Sequence, residues 1–191
     1  MGYIKALSIG KNSRQTVYLV SDLSQQVAGY SGAKLYSALK YATKKKDVKR
    51  ITRGIYAFSN DYSRIEFANK FRTPSYISLY TVLQEVGIIF QPYSDIYAVS
   101  QRSEIYEVDG QKYIYRKIKD DILLNHIGTI FVDGVHKATP ERALCDTLYL
   151  DGDAFFDNLR DIHWELMRNL NTDVYGNNTV IAGFINKYTI V

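Results

Sequence analysis

The chain has one cysteine, three prolines and no long apolar run, and each scarcity removes a class of explanation. A lone Cys145 cannot close an intramolecular disulfide or build a cysteine zinc cluster. No apolar stretch approaches the roughly 18 residues that cross a bilayer. The opening MGYIKALSIG also lacks the apolar core of a secretion signal. The expectation is a cytoplasmic protein. Few prolines and the lack of any low-complexity tract leave little room for extended disorder. Histidine is scarce as well. His126 and His163 have no partner spacing, and Asp133 with His136 reads as a loop rather than a metal pair. No metal and no cofactor is expected.

What is abundant is aromatic and, locally, basic. Seventeen Tyr and eight Phe among 191 residues suit filled cores and binding surfaces. Residues 1–60 hold 11 Lys or Arg against Asp22 and Asp47, a net charge of +9. The remaining residues hold 13 against 18 acids, a net charge of −5. This asymmetry divides the chain into residues 1–60, which face a polyanion, and a second unit of residues 61–191.

Periodicity orders the basic part. A short helix is expected over residues 1–9 and a β-like run over TVYLV at 16–20. Ser21 and Asp22 can cap a helix through residue 28, Gly29 and Tyr30 break it, and Ser31 caps the next. In that next helix, 31–44, Leu35, Ala38, Leu39 and Ala42 recur at i, i+3, i+4 and i+7, one buried stripe. The opposite face carries Lys34, Ser37, Tyr41 and Lys44, with Lys40 and Lys45 beside it. Two β-prone runs, 48–52 and 55–58, then flank Arg53-Gly54, the signal of a tight hairpin. Helix, helix, turn, helix, hairpin is the order of a winged helix-turn-helix, whose second helix of the pair enters the major groove. Lys34, Ser37 and Tyr41 are the candidates for base edges, and Lys40 beside them is a further DNA-binding candidate. Lys44, Lys45, Lys49, Arg50 and Arg53 are the candidates for phosphates. A solvated charged face, with lysines at a helix end meeting its dipole, is the plain alternative. The local charge asymmetry favours double-stranded DNA, and the lack of an aromatic-rich sheet motif speaks against RNA.

The second unit mixes both periods. Helices are expected over 61–72 and 77–86, the latter ended by Gly87. Strands are expected over 88–90, 96–99, 104–108 and 112–118, with Asp109-Gly110 as a hairpin turn and a short strand at Phe131. Thr139-Pro140-Glu141 opens a capped helix through residue 150, and further helices are expected over 155–169 and 179–187. The fold class expected is α+β, a winged helix followed by a unit with a mostly antiparallel sheet.

Four strings go further. They are ITRGIYAF at 51–58, ANKFRTPSYISLYTVLQEVGII at 68–89, IYAVS at 96–100 and ATPERALCDTLYL at 138–150. In order and spacing they resemble the AbiEi family, the antitoxins of type IV toxin–antitoxin (abortive infection) systems, over residues 15–150. The resemblance implies a winged helix that binds inverted repeats in its own promoter and represses the operon. It also implies a second domain that counteracts a nucleotidyltransferase-like toxin encoded alongside. In the fourth string, Glu141, Arg142 and Asp146 can be a polar surface that opposes the toxin. They can equally be a capped helix start with an Arg142–Asp146 pair at i, i+4.

Two other readings stay beside this one. The first is a transcription regulator whose second domain senses a ligand or an unrelated partner. The second is a DNA-processing enzyme. The Asp-x-Lys tripeptide a nuclease would need occurs once, as Asp47-Val48-Lys49 inside the expected wing. Asp151-Gly152-Asp153 lacks the Gly-Ser of a nucleotidyltransferase, and GYSGAK at 29–34 lacks the Gly-Lys-Ser/Thr ending of a phosphate loop. A protein without enzymatic activity is expected.

Overall fold

The computed structural model describes residues 15–26 and 32–189. The helix expected over 1–9, the Gly29–Tyr30 break and the Ser31 cap lie outside them. The chain forms two compact units, Met1–Phe71 and Arg72–Val191. The division falls one helix later than the 60/61 boundary expected from composition.

The first unit holds β1 (Val17–Leu19), α1 (Val20–Gln26), α2 (Gly32–Lys44), β2 (Lys49–Thr52), β3 (Ile55–Ala57) and α3 (Arg64–Phe71). Its sheet runs β1-β3-β2, antiparallel throughout. Gly54 at φ 82 turns the β2–β3 hairpin, and its carbonyl accepts the N–H of Val20 at 3.1 Å. Asp22 does not stand as the N-cap expected of it. It sits at the third helical position and its Oδ2 accepts the N–H of Leu19 at 3.0 Å, half of a capping box. Leu23, Leu35, Leu39, Ala42, Val48, Tyr18 and Tyr56 make the core.

α3 is tied to this unit by a buried carboxylate and by Lys70, whose Nζ donates to Val17 O at 2.6 Å. Glu66 Oε2 accepts from Thr16 N at 2.8 Å, Thr16 Oγ1 at 2.6 Å and Val17 N at 3.2 Å, while Oε1 pairs with Lys70 Nζ at 2.9 Å. These bonds tie the helix to the first strand, a link that charge counting along the sequence does not see.

The second unit holds β4 (Ser75–Ile77), α4 (Tyr80–Glu85), β5 (Ile96–Ser100), β6 (Glu104–Val108), β7 (Gln111–Lys117), α5 (Asp120–Leu123), β8 (Thr129–Val132), β9 (Val135–Ala138), α6 (Pro140–Asp151), α7 (Trp164–Asp173) and α8 (Thr179–Thr189). Its sheet runs β6-β7-β5-β4-β9-β8. The β5–β7 and β4–β9 pairings are parallel and the other three antiparallel, so the sheet is mixed with antiparallel pairings in the majority. β7 inserts between β5 and β6, which makes it parallel to one and antiparallel to the other. Asp109-Gly110 (φ 53 and 72) and Asp133-Gly134 (φ 50 and 81) are two-residue hairpin turns with both φ positive.

Three sequence expectations fail here for tertiary reasons. The helix expected from 77 begins only at Tyr80, because Ile77 closes a strand that pairs with both Ala98 and Lys137. Residues 88–90 are not a strand. Gly87 at φ 70 closes α4, Ile88 N–H bonds back to Leu83 O at 2.8 Å, and Ile88 O accepts Asp157 N–H at 2.9 Å. The helix expected from 155 begins only at Trp164. Among the described residues, no helix is long and apolar enough to cross a membrane.

Truncation of Glu66 in Glu66→Ala leaves the N–H groups of Thr16 and Val17 without their acceptor, while Lys70 keeps Asp22 and the Val17 carbonyl. It is expected to cost about 2–4 kcal/mol in urea unfolding. A loss below about 1 kcal/mol would mean that α3 is held to the first strand by other contacts.

Candidate nucleic-acid interface

The orientation of α2 follows from its apolar stripe. Leu35, Leu39 and Ala42 are 1%, 0% and 0% exposed. At 3.6 residues per turn the arc opposite them is led by Ala33, Ser37 and Lys44. Tyr36, Lys40 and Thr43 fall on one flank of that arc, Lys34 and Tyr41 on the other. Lys34, Ser37, Lys40, Tyr41, Lys44, Lys45, Arg50 and Arg53 are all exposed.

The helix ends in a left-handed residue that aims the chain back. Lys46 stands at φ 61. Its N–H bonds Thr43 O at 3.1 Å and Asp47 N–H bonds Ala42 O at 3.0 Å, a complete Schellman closure. β2 then starts beside α2, and a bulge between Arg50 and Thr52 shifts its register against β3. Arg50 Nε donates to its own strand at Thr52 O, 3.4 Å away.

The result is an open groove of about 500 Å³ lined by Tyr36, Lys40, Thr43, Lys44, Arg50 and Tyr56. Three cations surround an aromatic lining. Among the described residues, no carboxylate pairs with Lys40, Lys44, Arg50 or Arg53. The other flank of α2 is organised separately, with Lys45 Nζ 5.7 Å above the Tyr41 ring. Lys49 is half-buried, its ammonium 5.4 Å above the Tyr62 ring, so it does not line the groove. Arg53 sits at the hairpin turn, also outside the groove lining. Sequence reasoning missed Tyr36, Thr43 and Tyr56. Tyr36 lies one turn before Lys40 on the same flank, and Tyr56 is the cross-strand partner of Arg50; helical period and hairpin register are the signals that find them.

Glu141, Arg142 and Asp146 do not form the polar surface considered for them. They are 5%, 0% and 0% exposed. Thr139 caps α6 through the N–H of Arg142, Pro140 takes the first helical position, and Glu141 Oε1 accepts His163 N–H at 3.2 Å. Arg142 and Asp146 are a buried i, i+4 pair with Nε–Oδ1 at 3.7 Å, bridged by the Tyr76 hydroxyl. Arg142 also donates to the carbonyls of Ile127 (2.6 Å) and Ile122 (2.7 Å). Asp146 accepts from Tyr76, Ser78 and Tyr175 at 3.0, 2.7 and 2.7 Å. Burial raises the Asp146 pKa above the ordinary aspartate value, against the pull of the Arg142 charge and the three hydroxyl donors. Burial likewise pushes up the Tyr76 and Tyr175 phenols. Every strong donor and acceptor in this cluster is satisfied within the fold, which makes it structural.

Among the described residues, no group of three His, Cys, Asp or Glu side chains could hold a metal ion. Cys145 is buried, and burial raises its thiol pKa well above the usual value. No protein-family model matches the chain, and no curated protein matches it.

Replacing Arg142 by Met leaves Asp146 buried without its cation and is expected to cost about 3–5 kcal/mol. Arg142→Lys should recover little of it, since one ammonium cannot reach two carbonyls and a phenol as a fork does. Urea unfolding of the three chains measures both. Wild-type stability in Arg142→Met would contradict the role given to this pair.

Proposed function

We propose that this chain is a DNA-binding repressor whose first unit is a winged helix, and that its second unit is the antitoxin half of a type IV toxin–antitoxin pair. The observation that carries the DNA half is the groove between α2 and the β2–β3 hairpin, where Lys40, Lys44 and Arg50 converge with no carboxylate partner among the described residues. The charge asymmetry agrees. Residues 1–71 carry 13 Lys or Arg against four acids, so the net +9 persists at the boundary between the units.

With α2 in a major groove, Ser37 at the outermost arc faces base edges, and Lys34 and Tyr41 reach them from one side. Lys40, Lys44 and Arg50 lie on the other side, where a phosphate backbone would run, and Arg53 at the hairpin turn reaches the flanking backbone. Lys45 and Lys49 add charge at longer range. Phosphate contacts then supply most of the affinity and the outer arc supplies sequence choice.

The antitoxin half rests on the resemblance to the AbiEi family. Its two longest strings meet in the structure, since Tyr76 and Ser78 come from one and Arg142 and Asp146 from the other. Those residues hold the second unit together, so the surface that opposes a nucleotidyltransferase-like toxin lies outside them.

The triple variant Lys40→Ala/Lys44→Ala/Arg50→Ala tests the docking. Its affinity for the chain's own upstream DNA and for unrelated duplex should fall together. Its plot of log K against log salt should become shallower by about 0.9 for each phosphate contact removed. Ser37→Ala or Tyr41→Ala should instead change which duplex is preferred. An unchanged salt slope in the triple variant would overturn the docking. Co-expression with a toxin gene adjoining this one tests the second unit. Wild type and triple variant should both restore growth, while only wild type represses a promoter reporter. Failure of the wild type to restore growth removes the antitoxin half.

A further inference from the structure

The two edges of the six-stranded sheet are built differently. β6 carries Glu104 and Glu107, and Glu104 is engaged by Arg72 and Arg102. Charges of this kind blunt an edge against pairing with another strand. β8, with the sequence TIFV, carries no charge at all, and Ile130, Phe131 and Val132 are 45%, 64% and 51% exposed. Leu124 and Ile127, in the turn that leads into β8, are 55% and 46% exposed. Between Ile122 and Val132 there is no Asp, Glu, Lys or Arg. Among the described residues β8 is an edge strand, and exposed apolar side chains on both faces of such an edge are what a free protein avoids.

The register of β8 says what fits there. The two-residue turn at Asp133-Gly134 makes Val132↔Val135 a hydrogen-bonded pair, and Phe131↔His136 therefore a non-bonded one. The N–H and C=O of Phe131 consequently point away from β9, towards the open edge.

We infer that β8 is a self-pairing edge through which a second copy of this chain docks, antiparallel and centred on Phe131. About such a two-fold axis the two Phe131 residues exchange both backbone bonds, and Ile130 of each copy faces Val132 of the other. No like charges meet, since none are present on the strand. On β6 the turn at Asp109-Gly110 leaves Glu107 and Ile105 as the outward-bonding residues, and the same operation centred on Glu107 would set the two Glu107 carboxylates opposite one another. A charge-free, outward-bonding strand whose neighbours across the axis are aliphatic complements itself, and this selects a second copy over a partner of charged surface. The inference is independent of the DNA reading.

The test is sedimentation of the full chain over a range of concentrations, with two variants made at the same two positions. Wild type is expected to dimerise. Ile130→Glu/Val132→Glu places like charges opposite one another and should sediment as a monomer. Ile130→Lys/Val132→Glu places opposite charges together and should recover the dimer, because the introduced ammonium of each copy then faces the introduced carboxylate of the other. Thermal melts of the monomeric variant confirm that the unit still folds, as expected for changes on exposed side chains. A wild type that stays monomeric at every concentration overturns the inference and leaves the strand to a different partner. A dimer that survives Ile130→Glu/Val132→Glu overturns it as well, as does an Ile130→Lys/Val132→Glu chain that stays monomeric while folded.

Discussion

Burial of one face of α2 is the constraint on which the candidate interface depends. Leu35, Leu39 and Ala42 pack with Tyr18, Leu23, Val48 and Tyr56. Each fully buried Leu stabilises by roughly 1.5–3 kcal/mol, so the helix cannot roll without exposing that stripe and desolvating Lys40 or Lys44. The cations point outward because the leucines point inward. The end of the helix converts that orientation into a groove. Lys46 in the left-handed region closes the last turn and Val48 re-enters the core, so that β2 returns with Arg50 beside Lys44. A stretch of chain that is a dense run of charge in sequence becomes two walls of one concave surface.

The second unit is organised around the opposite problem, a cation with no water. Arg142 is held by two carbonyls, a phenol and a carboxylate, with the rings of Tyr76 and Tyr175 each 5.3 Å from its guanidinium. The partners come from β4, from α5 and the turn after it, and from beyond α7, so one side chain fastens α6 to several elements of the unit. Gly128 shows how tightly the chain passes. A Cβ there would lie 2.9 Å from Leu170 Cδ2 and 3.1 Å from Arg142 Cβ, at a φ of +75°. Breaking such a pair is expensive even where building it contributes little net stability, which is why its residue identities are restrictive.

Much of the local structure was legible because its causes are local. The α2 stripe, the Arg53-Gly54 and Asp109-Gly110 turns, the Gly87 stop and the Thr139-Pro140 start all come from residues within one turn of where they act. Where sequence reasoning failed, a distant partner decided. Ile77 reads as the first residue of a helix by period, yet it pairs with strands that lie later in the chain. Glu66 carries no signal in the sequence, yet its bonds to Thr16 and Val17 tie α3 to the first strand, beyond the boundary that composition suggests. The candidate site was legible as a basic face but not as a groove. Its far wall depends on the register of Arg50 against Tyr56 and on the bulge that sets it. Glu141, Arg142 and Asp146 show the reverse error, because charge in a sequence suggests surface unless its partners are known.

The most direct measurement is the binding of the unmodified chain to a duplex of its own upstream DNA across a salt series, with a scrambled duplex as competitor. The account predicts tight binding at low salt, a steep linear fall of log K with log salt, and a preference for the upstream sequence that the competitor does not share. Absence of binding at low salt, or an affinity indifferent to salt, would contradict the role assigned to Lys40, Lys44 and Arg50.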